Sequence, residues 1–126
     1  MNGLPSDTDL RFLPKMILNR VAIGLHQVTL DLDPPDDPRS NPTCTIAIWS
    51  SVRLVSPTEY EFMSDSPTFS GPALVALLGA EVAEASVVPP GTLRLKWTNG
   101  YALDIIDSEE GYESYTVTHG ESSIVV

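Results

Sequence analysis

Apolar residues recur at every second position in one short run after another, and Pro or Gly interrupts each run before it can lengthen. Val21, Ile23 and Leu25 form one series, and Val28, Leu30 and Leu32 the next. Cys44, Ile46 and Ile48 alternate with Thr43, Thr45 and Ala47. Leu93, Leu95 and Trp97 share one parity, as do Leu103 and Ile105. A period of two places successive side chains on opposite faces of an extended strand, so these runs read as half-buried β-strands. The slip in parity at His26-Gln27 marks a bulge or the join of two short strands. Asp33 to Pro42 carries four prolines in ten residues and reads as an exposed loop. Further strands are expected at residues 52–54, 59–62, 82–88, 112–118 and 123–126. Residues 1–9 read as a frayed lead-in, with a short helical turn around Leu10 to Leu18 limited by Pro14.

The pair Asn99-Gly100 between two alternating runs is the strongest hairpin signal in the chain. A two-residue turn would set Leu95 opposite Asp104 and mix apolar with polar on one face. A three-residue loop, Thr98-Asn99-Gly100, sets Leu95 opposite Leu103 and Trp97 opposite Tyr101, which keeps one face apolar. The second register is the expected one, with Gly100 left-handed. One segment departs from the strand pattern. Residues 70–79 are expected to form a short helix, with Ser70 as cap, Pro72 in the first turn, Gly79 at the end, and Leu74, Leu77 and Leu78 buried.

The halves of the chain share an order of features. Leu18, Val21, residues 45–50, 52–54 and 59–62 match Leu78, Val82, residues 92–98, 101–103 and 112–115. The expected fold is therefore mainly β with minor α, as one domain over residues 1–126. Two pseudo-repeated antiparallel β-meanders, 18–63 and 80–126, flank the short helix. Sandwich, barrel and single long sheet all remain open.

The second half also resembles an uncharacterised family of small bacterial proteins, mostly actinobacterial. The likeness rests on Leu78-Gly79-Ala80-Glu81-Val82, on Gly91-Thr92-Leu93-Arg94-Leu95-Lys96-Trp97-Thr98-Asn99-Gly100, on Leu103-Asp104-Ile105, and on Tyr112-Glu113-Ser114-Tyr115. The first half fits more loosely and lacks the hairpin Gly. The family carries no established activity; some members look like neighbours of toxin genes, so the resemblance implies an immunity-type role.

Charge narrows the function classes. Seven Lys+Arg against seventeen Asp+Glu give a formal charge of −10 over 126 residues. Phosphate backbones and anionic lipid surfaces select basic faces, so no nucleic-acid and no membrane partner is expected. The longest apolar stretch, residues 72–80, is about half of the roughly 20 residues a spanning helix needs. Residues 1–12 show no basic stretch followed by an apolar run, and the cytoplasm is the expected location. The lone Cys44 makes no intrachain disulfide.

Residue types that carry catalysis are sparse. There is no Gly-x-Ser-x-Gly elbow and no glycine-rich phosphate cradle. Cys44 sits mid-strand and reads as a buried thiol, with His26 or His119 the only imidazoles that could activate it. Asp31, Asp33, Asp36 and Asp37 crowd one loop, but Asp36 and Pro42 stand where a calcium loop needs Gly and Glu. Glu61 and Glu113 occupy matching repeat positions; facing each other they could serve glycoside chemistry, though a turn-capping carboxylate is the commoner use. No enzyme activity, cofactor or metal is expected.

Residues 64–126 hold two basic and nine acidic side chains, and no Lys or Arg follows Lys96. Such a field steers a basic partner. The expected partner-binding residues are Tyr101, Asp104, Asp107, Glu109, Glu110, Tyr112, Glu113 and Tyr115, facing the basic surface of a protein. Aromatic side chains with polar tips suit interface centres. The alternatives are a homodimer formed through the edge strand at residues 123–126, and a small-ligand binder or enzyme.

Overall fold

The computed structural model describes residues 4–5, 7–35, 43–89, 91–107 and 114–126, and among them are ten strands. In chain order they are β1 (Ile17–Ile23), β2 (Val28–Asp33), β3 (Cys44–Ile48), β4 (Val52–Val55) and β5 (Glu61–Ser64). Then follow helix α1 (Pro67–Leu74), a 3-10 turn (Val75–Leu77), β6 (Val82–Val88), β7 (Thr92–Trp97), β8 (Ala102–Ile105), β9 (Tyr115–His119) and β10 (Ser122–Val125). The parity slip at His26-Gln27 is the join of β1 and β2, closed by the Gly24 N–H donating to the Gln27 carbonyl at 2.8 Å. The β7–β8 hairpin takes the three-residue register. Leu95 pairs with Leu103, the Trp97 N–H donates to the Tyr101 carbonyl at 2.9 Å, and Gly100 has φ +93°.

The strands form two five-stranded antiparallel sheets, β1-β2-β3-β9-β10 and β5-β4-β8-β7-β6. Neither expected meander is a single sheet. Each half contributes its first three strands to one sheet and its last two to the other. Numbered within each half, both sheets read 1-2-3 of one half and then 4-5 of the other. That order matches β2 with β7 and β3 with β8, one strand away from the alignment the residue types suggest. Amphipathic strands of equal period resemble one another in any register, so residue type alone cannot choose. The Pro-rich loop and the Asn-Gly turn hold the same place in the two halves, and Glu61 in β5 matches β10 rather than the segment before β9.

One buried cluster joins the inner faces. Val28, Leu30, Leu32, Cys44, Ile46, Ile48, Tyr115 and Val117 come from the first sheet. Val52, Leu54, Val82, Leu93, Leu95, Trp97, Leu103 and Ile105 come from the second. Burying each large aliphatic side chain contributes about 1.5–3 kcal/mol relative to exposure. The arrangement is a sandwich, and it is laced along one side. There Ile17 and Glu81 bridge β1 to the lead-in of β6, and the Val82 N–H donates to the Met16 carbonyl at 2.8 Å. Helix α1 packs on β1 and β2 of one sheet and on β4 and β5 of the other. In the described part of the lead-in Leu4 is buried, and Leu10, Leu13 and Met16 after it are buried too. No helix among the described residues is long and apolar enough to cross a membrane.

The helix begins one turn before the expected start. Ser66 is extended at the N-cap, its carbonyl accepts from the Ser70 N–H at 2.8 Å, and Pro67 fills the first position. Pro67 satisfies the same rule that pointed to Pro72. Pro72 instead lies inside the helix, where it supplies no N–H, and α1 yields to a 3-10 turn three residues later. Gly71 is buried with the Ile23 side chain packed where its Cβ would stand, and Ser70 is buried with its hydroxyl donating to the Ser66 carbonyl at 2.9 Å. Leu74 and Leu77 are core residues as expected, whereas Leu78 is exposed.

Because each sheet draws strands from both halves, neither half completes a sheet. Fragments 1–78 and 79–126 are expected to show no cooperative unfolding alone and to regain β-type circular dichroism and a single urea transition when mixed. Independent folding of either fragment contradicts the exchanged topology.

Candidate functional site

The outer face of the second sheet carries four alternating charges across four strands. Pairing sets Arg53 opposite Asp104 and Arg94 opposite Asp104, with Glu61 diagonal to Arg53. Arg94 Nε and Nη2 donate to the two Asp104 oxygens at 2.7 and 2.9 Å. Arg53 Nη1 lies 3.5 Å from Asp104 Oδ2, and its Nε and Nη2 donate to Glu61 at 2.8 and 3.2 Å. Hydrogen bonds donated to Asp104 and Glu61 push the Arg94 and Arg53 guanidinium pKa values further up. The Arg53 fork holds the Glu61 carboxyl below its usual range. Glu61 is thus engaged in a neutral ladder.

The ladder changes the reading of the acidic second half. Asp104 is 7 % exposed and compensated by two arginines, so it adds no open negative field. Asp107 is buried and accepts from the Ser114 hydroxyl at 2.7 Å. Tyr115 has no exposed surface; its hydroxyl donates to the Gly91 carbonyl at 2.9 Å and ties β9 to the β6–β7 turn. Burial, with Asp107 adding repulsion, pushes that phenol pKa well up. All three side chains are enclosed and hydrogen-bonded within the fold. Parity explains Tyr115, which lies on the inner face with Val117. The two aspartates are buried because cross-strand and crossover partners surround them, and no spacing rule reveals those. Tyr101 remains half-exposed. Glu109, Glu110, Tyr112 and Glu113 lie outside the described residues.

Cys44 is fully buried, and desolvation with a contribution from Asp31 pushes its thiol pKa up to about 12. A neutral, enclosed thiol is a poor nucleophile. His119 stacks on Phe12 with ring centroids 4.3 Å apart. Of the acids expected to crowd one loop, Asp31 and Asp33 lie in β2, where Asp31 accepts from the Thr45 hydroxyl at 2.9 Å and Asp33 accepts from Asn19; Asp36 and Asp37 lie outside the described residues. Among the described residues no three His, Cys, Asp or Glu gather in a metal-holding group.

Concave surface lies elsewhere. The tips of the β4–β5 and β7–β8 hairpins converge on the 3-10 turn. Pro57 packs against Gly100, and Asn99 Nδ2 donates to the Ala76 carbonyl at 3.4 Å. Between them opens a cleft of about 250 Å³, lined by Leu54, Tyr60, Phe62, Ala73, Ala76 and Tyr101. The same stretch of chain carries exposed apolar side chains. Tyr60 is 81 % exposed and Phe69 70 %, with Met63, Val75 and Leu78 also open. Half of the ten large hydrophobics exposed among the described residues therefore fall in residues 60–78. Glu59, Glu61 and Asp65 are exposed in the same stretch, and the sequence has no Lys, Arg or His between Arg53 and Arg94. A charge scan of the middle of the chain carries that signal as plainly as the absence of bases after Lys96.

Asp104→Ala would leave two guanidinium groups side by side without their shared carboxylate. It is expected to cost about 2–4 kcal/mol in urea unfolding, against less than about 1 kcal/mol for Glu61→Ala. Equal costs would mean that the ladder is not centred on Asp104.

A family model described as a family of unknown function (DUF6188) matches residues 12–126. No curated protein and no solved structure matches the chain. The matched span takes in both sheets and α1, and the chain belongs to DUF6188, a family of unknown function.

Proposed function

We propose that the protein is a non-enzymatic binding module that takes a basic protein partner on the apolar face of residues 60–78. The observation that carries this reading is the 81 % exposure of Tyr60 at the mouth of an aromatic cleft, among further exposed apolar side chains. Soluble surfaces rarely gather such residues without a use, and aromatic anchors dominate interface energetics. The carboxylates of Glu59 and Asp65 and a net charge of −10 favour a partner with a basic rim and raise its rate of encounter. The proposed site thus lies at the end of the second sheet, and of the residues expected from sequence it retains Tyr101. Blocking a basic toxin in the cytoplasm is the immunity-type version of this proposal.

The test is capture from a lysate of the source organism with the protein and with Tyr60→Ala/Phe69→Ser. The proposal expects a basic protein that the unaltered chain retains and the double variant releases by at least about tenfold, a loss typical of interface anchors. A species retained equally by both chains, or none at all, overturns it.

A second reading is a homodimer through β10. This strand ends its sheet, contains neither Lys nor Pro to blunt its edge, and leaves Val125 exposed. Sedimentation then shows a dimer that Val125→Lys returns to monomer; a monomer at millimolar concentration removes the reading.

A further inference from the structure

The lead-in to β1 runs along β6 without covering it. At one end the Leu4 N–H donates to the Gly91 carbonyl at 3.4 Å. At the other the Lys15 N–H donates to the Val82 carbonyl at 2.7 Å. Between these anchors the segment bows outward through turns closed by Thr8 N–H to the Pro5 carbonyl and Leu13 N–H to the Leu10 carbonyl, both 3.1 Å. The gap is an open cleft of about 700 Å³ with residues 83–87 along one side and 7–11 along the other.

β6 is the last strand of its sheet. Among the described residues no backbone hydrogen bond reaches its outer edge between Ala83 and Val87. In an antiparallel strand, alternate residues direct both N–H and C=O away from the paired neighbour. The cleft therefore holds a row of strand donors and acceptors about 16 Å long with no strand beside it. The natural complement is an extended chain, which would take the next position in the sheet.

Charge selects which chain. Asp7, Asp9 and Glu84 line the cleft with Arg11 the base among the described lining residues. The Arg11 guanidinium is held by both Asp9 oxygens, at 2.9 and 2.8 Å, and that pair lowers the Asp9 pKa. Glu84 meets Lys96 only at 4.0 Å on an exposed surface, and Asp7 lines the cleft without a salt bridge among the described residues. The balance is negative over a sheet edge, and it shares no residue with the apolar face of residues 60–78.

We propose that the edge of β6 is a binding site for an extended basic segment of a protein, which adds as a sixth strand to the second sheet. Backbone hydrogen bonds supply affinity and the flanking carboxylates select Lys or Arg on the side chains that face them. The site stands without the proposal for residues 60–78, and either can fail alone.

The probe is a ten-residue peptide of alternating Lys and Val, with alternating Glu and Val as its partner control, read by titration and by residue-resolved amide hydrogen exchange. The proposal expects saturable binding of the Lys/Val peptide and none of the Glu/Val peptide. At saturation, alternate amides within residues 83–87 exchange at least about tenfold more slowly. Asp7→Lys weakens binding about fivefold while Glu121→Lys, the same charge change on the opposite sheet, leaves it within about twofold. The inference is overturned by absence of saturable binding, by equal binding of both peptides, by protection outside β6, or by equal effects of the two substitutions.

Discussion

The fold depends on the place where each half of the chain changes sheet. The β3–β4 connection and the segment leading into β9 meet there. The Ser114 carbonyl accepts from the N–H groups of both Trp49 and Ser50, at 2.9 and 3.1 Å, and the Ser51 carbonyl accepts from Ile106 N–H at 3.0 Å. A connection that leaves one sheet for another exposes backbone groups that no ladder satisfies. Here the N–H groups of Trp49, Ser50 and Ile106 find acceptors on the opposite crossing. Ser50 and Ser114 are buried as a result, small side chains where two backbones approach. With the crossings fixed, β9 and β10 must extend the sheet of β1–β3, and β4 and β5 the sheet of β6–β8.

The exchange also arranges the surface. It brings β4 beside β8, so Arg53 from the first half meets Asp104 from the second. The most compensated carboxylate of the outer face is thereby one that the sequence counts among a run of acids without bases. Net charge is a property of composition and survives unchanged, but its location is set by pairing. Among the described residues, Glu59 and Asp65 lie beyond the β5 end of the ladder and Asp7 beside the open edge of β6.

Much of the architecture was legible in the residues. Alternation located the strands, and the conflict between Leu95 and Asp104 chose the hairpin register correctly, because one buried face tolerates a single parity. The helix starts a turn before the expected position because Ser66-Pro67 and Ser70-Gly71-Pro72 carry the same local signal, and the close packing of Ile23 on Gly71 accompanies the earlier start. Tyr115, expected at a partner surface, shares the parity of Val117 and points inward. The exposure of Tyr60 and Phe69 had no sequence sign apart from the acidic stretch around them, because an apolar residue on a short helix or turn reads the same whether it faces core or solvent.

What the sequence by itself determined was local: period-two strands, the left-handed glycine of the Asn-Gly turn, the Pro-rich interruption, a neutral buried thiol at Cys44, and an excess of ten negative charges. These follow from backbone sterics, side-chain alternation and counting. What only the tertiary structure decided was which strands are neighbours across the halves. That choice pairs Asp104 with two arginines, encloses Asp107 and Tyr115, and leaves β6 with an open edge. Pairing over long sequence separation depends on how two faces and two crossings close around one core, and no short window of residues contains that information.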